Sequence, residues 1–396
     1  MRGLIDRVAI PSRRVVALAA VAAIALLVAP AADAKPKRGV QVSVMTRNLF
    51  LGADLGPALN ATGFQSFIEA NGGILREVDQ TNFPVRAKGL AGEIKATKPQ
   101  LVGLQEVALW RTGPFNSQAA LQQHPVATTV KYDFLKLLLN RLNAKTNNNY
   151  KGYRAAVVQP EFDFEAPADY DGNPSTGTLG AELNGRLTMR DVILVRKGAG
   201  VKVTNPTAGH FHTLFTPTIA GVTIPVIRGW AALDATVTKG KGKHELQRKF
   251  RFVDTHLEAF DDETQHPSIR ALQAQELIAG MSGPYGEGPG GGSRKVILVG
   301  DLNSNVPGVK PGDEQAYQAM LDGGFTERST SIPPGCCVPS VLTGPPSAFD
   351  HQVDHVMTNQ PTKKVKLVRS EVTGLTPMNG FYDSDHAGLF SVLKVR

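Results

Sequence analysis

Residues Val296 to Asn303 read VILVGDLN, and no other stretch limits the possible folds of this chain so much. Four apolar residues in succession fit a strand covered on both faces, and such a strand needs packed layers on either side of it. Gly300 permits a tight turn. Asp301 and Asn303 then fall at the strand's carboxyl end, where side chains of layered α/β proteins meet ligands. A carboxylate and an amide two residues apart can point the same way. One accepts a proton or ligates a cation, and the other donates to a developing oxyanion, as a metal-bound phosphate requires. Gly, Asp and Asn are also ordinary turn residues, so the other stretches decide between the two readings.

The chain before this stretch alternates strand-like and helix-like segments. Val40 to Leu49 alternates as a strand that ends at Asn48, and a loop follows through Gly52, Gly56 and Pro57. Helical spacing runs from Phe83 to Thr97 and stops at Lys98-Pro99, and a second helix is predicted over Tyr132 to Lys145. Between them Leu101 to Leu104 is a short buried strand that ends in Gln105-Glu106. Strands are predicted at Tyr153 to Gln159, Asp191 to Arg196, Gly221 to Val237 (broken by Pro225), Arg251 to Leu257, Val353 to Met357 and Leu389 to Val395. Further helices are predicted over Pro267 to Met281 and Asp313 to Leu321. Polar or Gly/Pro-rich insertions are expected near 161–185, 282–294 and 307–346. Without a repeat or a domain linker, one layered α/β domain spanning 35–396 is the economical reading.

Residues 1–34 stand apart. Arg2, Arg7, Arg13 and Arg14 precede an Ala/Leu/Val run from Ala17 to Val28, and Ala32-Asp33-Ala34 fits a cleavage site. The expectation is an export signal, Sec or twin-arginine, and hence a secreted or extracytoplasmic protein. No later stretch is long and apolar enough to span a bilayer. The leader takes four Arg and two Asp with it, so the formal net charge falls from +8 to +6. A moderately basic surface favours polyanionic partners such as nucleic acid or anionic lipid, and it equally serves solubility. The two cysteines, Cys336 and Cys337, are adjacent. Their spacing excludes an ordinary staple and leaves a vicinal ring, free thiols or an intermolecular bond open.

Polar residues of one chemical flavour stand at several strand ends. They are Asn48, Glu106, His256, Asp301, Asn303, Asp354, Asp385 and His386. Their local wording is TRNL at 46–49, LQEV at 104–107, THL at 255–257, GDLN at 300–303, VDHV at 353–356 and SDH at 384–386. In this order the motifs resemble the endonuclease/exonuclease/phosphatase superfamily, the deoxyribonuclease I-like group that includes neutral sphingomyelinases and inositol polyphosphate phosphatases. The resemblance implies an α/β (α+β) four-layer sandwich, two packed mixed β-sheets flanked by helices, with the catalytic loops at one edge.

The resemblance also implies roles. Glu106 is the principal ligand of Mg²⁺ (or Mn²⁺ or Ca²⁺), with Asn48 binding metal or orienting phosphate and Asp385 helping through the metal's water shell. His386 is the base, oriented by Asp354. Asp301 positions the attacking water, Asn303 donates to the phosphorane, and His256 faces the other side of the phosphate. Arg190-Asp191 departs from the Gly-Asn of many relatives, so Asp191 receives no role, while Arg186 and Arg190 are candidate substrate contacts. The implied protein is a monomeric, metal-dependent phosphoesterase acting on phosphodiester bonds, with a nuclease-like substrate slightly preferred. Sphingomyelinase or phospholipase C-like and phosphomonoesterase activities are alternatives, and so is a non-catalytic polyanion or lipid binder. The Lys239–Arg251 basic cluster suits nucleic acid, and the apolar stretches 211–215 and 217–230 suit a membrane surface.

Overall fold

The computed structural model describes residues 39–396 apart from 119–123, 145–149, 261–265, 283–287, 291–293, 310–312, 330–332 and 379, so the expected leader lies outside the described residues. The strands are β1 (Val40–Asn48), β2 (Leu101–Gln105), β3 (Leu109–Pro114), β4 (Thr129–Asp133), β5 (Tyr153–Ala168), β6 (Leu183–Arg196), β7 (Val201–His210) and β8 (Thr218–Ile219). They continue as β9 (Val222–Thr223), β10 (Gly229–Lys239), β11 (Leu246–His256), β12 (Val296–Asp301), β13 (Thr326–Glu327), β14 (Asp354–Thr358), β15 (Val365–Thr373) and β16 (Gly388–Val395). The described helices are α1 (Gly56–Leu59), α2 (Phe64–Gln80), α3 (Phe83–Thr97), α4 (Phe134–Asn143), α5 (Ile269–Ser282) and α6 (Gln315–Asp322).

One sheet is ordered β15-β16-β1-β2-β6-β3-β4 with β5 added to β6, and the other β13-β14-β12-β11-β10-β7. In each sheet one central pair is parallel, β1 with β2 and β11 with β12, while their outer neighbours β16, β6 and β14 run antiparallel. Both sheets are therefore mixed. The pattern within β12 explains why they stack. Ile297 and Val299 point into the core between the sheets, against Val44, Leu101, Ile193, Phe252 and Leu393. Val296 and Leu298 point the other way, onto Ala274 and Leu277 of α5 and Met320 of α6. On the far side of the first sheet, Val102, Leu104 and Val192 pack with Leu75, Leu90 and Leu138 of α2, α3 and α4. Helices, sheet, sheet, helices: the four-layer sandwich stands as expected.

Three local expectations differ. The insertion at 161–185 is shorter than expected, because β5 and β6 pair, across two bulges, from Tyr153↔Arg196 to Ala168↔Leu183 and leave only 169–182 as the connection. The acids that made the segment look like loop point inward: Glu165 accepts from Val126 N, Ala127 N and Asn184 Nδ2 at 3.2, 3.0 and 2.7 Å. Helix α1 occupies part of what read as loop, and α2 has no counterpart in the sequence reading, since Asn71-Gly72-Gly73 interrupts its pattern. A Cβ on Gly72 would stand 1.7 Å from the Asp169 carbonyl, so the helix can approach the β5 end only there. Gly300 makes no turn either. It lies within β12, and its missing Cβ leaves room for Thr255 O, which would otherwise be 2.3 Å away. Among the described residues no helix is long and apolar enough to cross a membrane.

Candidate active site

Strand register gathers the motifs. The parallel pairing of β1 with β2 sets Asn48 opposite Gln105, one residue before Glu106. In the second sheet β11 and β12 set His256 opposite Asp301, and antiparallel β14 sets Asp354 opposite Asp301 on the other side. His386 enters on the loop before β16. Ser384 fixes that loop: its hydroxyl donates to Asn48 O at 2.9 Å and accepts from His386 N at 3.2 Å. The buried Arg47 guanidinium donates to His386 O and pairs with Glu93 at 2.8 Å. Arg86 ties down the β1 end by donating to Leu49 O and Phe50 O at 2.7 and 3.1 Å.

A continuous polar line results. Asn48 Nδ2 donates to Glu106 Oε1 at 3.1 Å and to Asp301 Oδ2 at 3.0 Å. Leu51 N donates to Glu106 Oε2 at 2.6 Å. His386 Nδ1 donates to Asp354 Oδ2 at 2.7 Å, and its Nε2 stands 3.6 Å from Asp301 Oδ2. His256 Nε2 stands 3.6 Å from the same oxygen. Two imidazoles therefore flank one carboxylate, both just beyond direct hydrogen-bond reach. Glu106 and Asn303 hold left-handed backbone, φ 54° and 46°, the strained conformation that turns each side chain off its strand end. Asn303 Nδ2 donates to Leu257 O at 3.0 Å, and its backbone N–H to Asp301 Oδ1 at 2.9 Å.

The two histidines are tuned in opposite directions. Burial and the adjacent Arg228 guanidinium hold His256 well below the ordinary histidine range. For His386 burial opposes the charge, but Asp354, Asp301 and Asp385 outweigh it and raise the group well above that range. Burial, with the nearby charges of Glu106 and Asp301, raises Asp385 to about 6 against the pull of His386 and Arg86. Carboxylates crowded in this way, with an all-oxygen donor set, fit a hard divalent cation.

Asn48 Oδ1 accepts from Phe50 N at 2.8 Å and its NH₂ faces Glu106 and Asp301. One expectation changes. Arg186 and Arg190 are both committed to protein acceptors. Arg186 pairs with Asp163, while Arg190 donates to Val107 O at 2.8 Å and to Asp133 at 2.7 Å, bracing the turn after Glu106. Neither is free for substrate.

Sequence reasoning missed Arg228, gave Asp191 no role, and left the state of the cysteines open. Arg228 Nη1 lies 3.1 Å from His256 Nδ1, and its Nε lies 3.6 Å from the buried Glu258. Asp191 is buried with both carboxylate oxygens unpartnered. Burial first, then the charges of Glu106 and Asp301, raise it well above the ordinary carboxylate range against the pull of Arg228. Cys336 and Cys337 form a vicinal disulfide beside His386. No local pattern marks Arg228; the pairing of Gly229 with His256 is what brings it to the site.

No known protein-family model matches the chain, and no curated protein matches it. Among solved structures, an endonuclease/exonuclease/phosphatase family protein from Bacteroides thetaiotaomicron is 15% identical, with 91% of this chain and 99% of that one covered at a TM-score of 0.49. A mannosyl-6-phosphatase from Bacteroides thetaiotaomicron VPI-5482 is 16% identical, covering 89% and 99% at a TM-score of 0.49. An endonuclease/exonuclease/phosphatase from Beutenbergia cavernae is 17% identical, covering 90% and 72% at 0.47. The chain is similar, over about nine-tenths of its length, to solved structures described as endonuclease/exonuclease/phosphatase proteins.

Proposed function

We propose that this chain is a phosphoesterase of the endonuclease/exonuclease/phosphatase superfamily that hydrolyses phosphodiester bonds by water attack with a divalent cation, Mg²⁺ foremost. One observation carries the reading: His386, held through Nδ1 by Asp354, and His256, which burial and then Arg228 keep well below the ordinary histidine range, both turn Nε2 toward Asp301 Oδ2. Asp354 fixes the His386 tautomer, and once a bound cation offsets the acids that raise this imidazole, its Nε2 would receive the water's proton. Asp301 orients that water across the 3.6 Å gap. His256 Nε2–H donates to a phosphoryl or leaving oxygen from the opposite side, and the Asn48 amide keeps Glu106 and Asp301 apart. Glu106 and Asp385 would hold the cation. When bound, it supplies positive charge against the acids and polarises a phosphoryl oxygen.

The surface favours no single phosphodiester. The basic Lys239–Arg251 segment is the β10–β11 hairpin, and its tip lies at the end of β10 opposite to His256, about 34 Å along the strand at ordinary strand rise. Phe211, Ile219, Ile224, Val226 and Trp230 are buried, so the apolar stretches face the core rather than a membrane. The test is hydrolysis of bis-p-nitrophenyl phosphate, expected to vanish with EDTA and return with Mg²⁺. No turnover with Mg²⁺, Mn²⁺ or Ca²⁺ across pH 5 to 9 overturns the proposal in favour of a non-catalytic binder. A panel of plasmid DNA, RNA, sphingomyelin and inositol phosphates then sorts nuclease from lipase and phosphatase.

A further inference from the structure

The cysteine pair occupies a place that water attack on phosphate does not call for. Cys336 Sγ lies 3.5 Å and Cys337 Sγ 3.7 Å from His386 Nε2, the nitrogen that faces Asp301. The loop carrying the pair is clamped beside the histidine from both ends. Ala387 N donates to Gly335 O at 2.6 Å, and Val338 N donates to Asp385 O at 3.0 Å. A second clamp fixes Cys336 itself, which exchanges backbone hydrogen bonds with His351 at 3.0 and 2.6 Å. Cys336 is buried, while Cys337 is exposed and open to a reagent from solvent.

These separations have a chemical meaning. Tetrahedral Zn²⁺, with Zn–S near 2.3 Å and Zn–N near 2.05 Å, sets sulfur and nitrogen about 3.6 Å apart. Both sulfur–nitrogen distances already sit at that value. While the sulfurs are bonded to each other they have no thiolate charge to offer a cation. We propose that reduction of the Cys336–Cys337 disulfide opens a site for a thiophilic cation of the Zn²⁺ class, held by both sulfurs and His386 Nε2, which withdraws that imidazole from the phosphate. A dithiol reductant supplies two electrons and two protons, breaking the S–S bond to give two thiols and becoming a cyclic disulfide itself. Zn²⁺ then displaces one proton from each thiol and the Nε2 proton of the charged His386 to solvent, and water fills its fourth position. Phosphorus chemistry stops because the lone pair that would take the water's proton now binds metal.

Binding is measured on the full chain without substrate, so the result stands apart from the hydrolase reading. Equilibrium dialysis against Zn²⁺ compares the oxidised protein, the reduced protein and reduced C336S/C337S. Any Zn²⁺ held at Glu106 and Asp385 is common to all three. The reduced wild type should bind about one further equivalent. His386→Ala should weaken that extra binding by about 100-fold or more. Zn²⁺ should also slow iodoacetamide labelling of Cys337 in the reduced wild type, a readout that needs no folded double variant. Equal Zn²⁺ in all three forms overturns the proposal. Undiminished affinity in His386→Ala overturns it as well, and so does labelling that Zn²⁺ leaves unchanged.

Discussion

Two buried histidines meet a carboxylate in nearly the same way and end in different roles. His386 Nδ1 lies 2.7 Å from Asp354, and His355 Nδ1 lies 2.8 Å from Glu327. Their carboxylate and imidazole are even chain neighbours, since Asp354 and His355 begin β14 and alternate to opposite faces. The difference is at Nε2. His355 Nε2 donates to Ser304 O at 2.9 Å, and its ring lies 4.9 Å from that of Tyr317, so both nitrogens are closed. Among the described residues His386 Nε2 meets only the weakly accepting disulfide sulfurs at 3.5 and 3.7 Å and Asp301 Oδ2 at 3.6 Å. A carboxylate–imidazole pair is thus a clamp when both nitrogens are bonded and a proton relay when one is left for a reactant.

The comparison breaks first at His386. If its free nitrogen takes the proton, His386→Ala should lower kcat on bis-p-nitrophenyl phosphate by about 10³-fold or more. The circular dichroism and the unfolding midpoint should stay close to those of the wild type. Turnover within tenfold of the wild type would make His386 a second clamp. Asp354→Asn tests the other half of the relay. The amide keeps the volume but no longer stabilises the charged ring, and the expected loss is about 10²-fold in kcat with little change in KM. An unchanged kcat would reduce Asp354 to the structural role that Glu327 plays.

His256 sharpens the contrast from the opposite side, because a cation rather than a carboxylate stands beside it. Arg228→Met removes the positive charge 3.1 Å from Nδ1. The variant should move His256 back toward the ordinary histidine range, visible as an upward-shifted NMR titration of its ring, and cost about tenfold in kcat. An NMR titration that does not move would show that burial alone holds His256 neutral. Urea unfolding of the same variant separates this from the cost of leaving Glu258 without its partner.

The sheet architecture was legible because periodicity survives where both faces of a strand are apolar, as in Val296 to Val299. The candidate residues stand at the ends of those strands, and Asn48, Glu106, His256, Asp301, Asp354 and His386 are all brought together. What escaped was whatever depends on register between distant strands. Arg228 looks like any arginine before a glycine until β10 pairs with β11. Glu165 reads as loop polarity until Asn184 and two backbone amides surround it. Arg186 and Arg190 read as free cations, because sequence does not show that Asp163 and Asp133 lie within reach. The amide orientation of Asn48 likewise depends on Phe50 N, Glu106 and Asp301 meeting around it.

The smallest effect belongs to the clamp, and it appears in stability rather than rate. Burial works against a charged His355, but the Glu327 hydrogen bond and charge, with the Ser304 carbonyl, raise it above its ordinary value. A group whose folded value is raised stabilises the protein fully below its unfolded value, about pH 6.5 for histidine, and loses that contribution as pH climbs through the folded value. Glu327→Gln keeps a hydrogen-bonding amide and deletes the charge. The variant should therefore unfold more easily than the wild type by about 2 kcal/mol below pH 6.5. The two unfolding midpoints should draw together as pH rises toward 9, and kcat should stay within about threefold throughout. A destabilisation of constant size at every pH would mean that His355 is neutral in the folded protein. A large loss of kcat would mean that His355 is not walled off from the reaction, and the distinction drawn from Nε2 would fall.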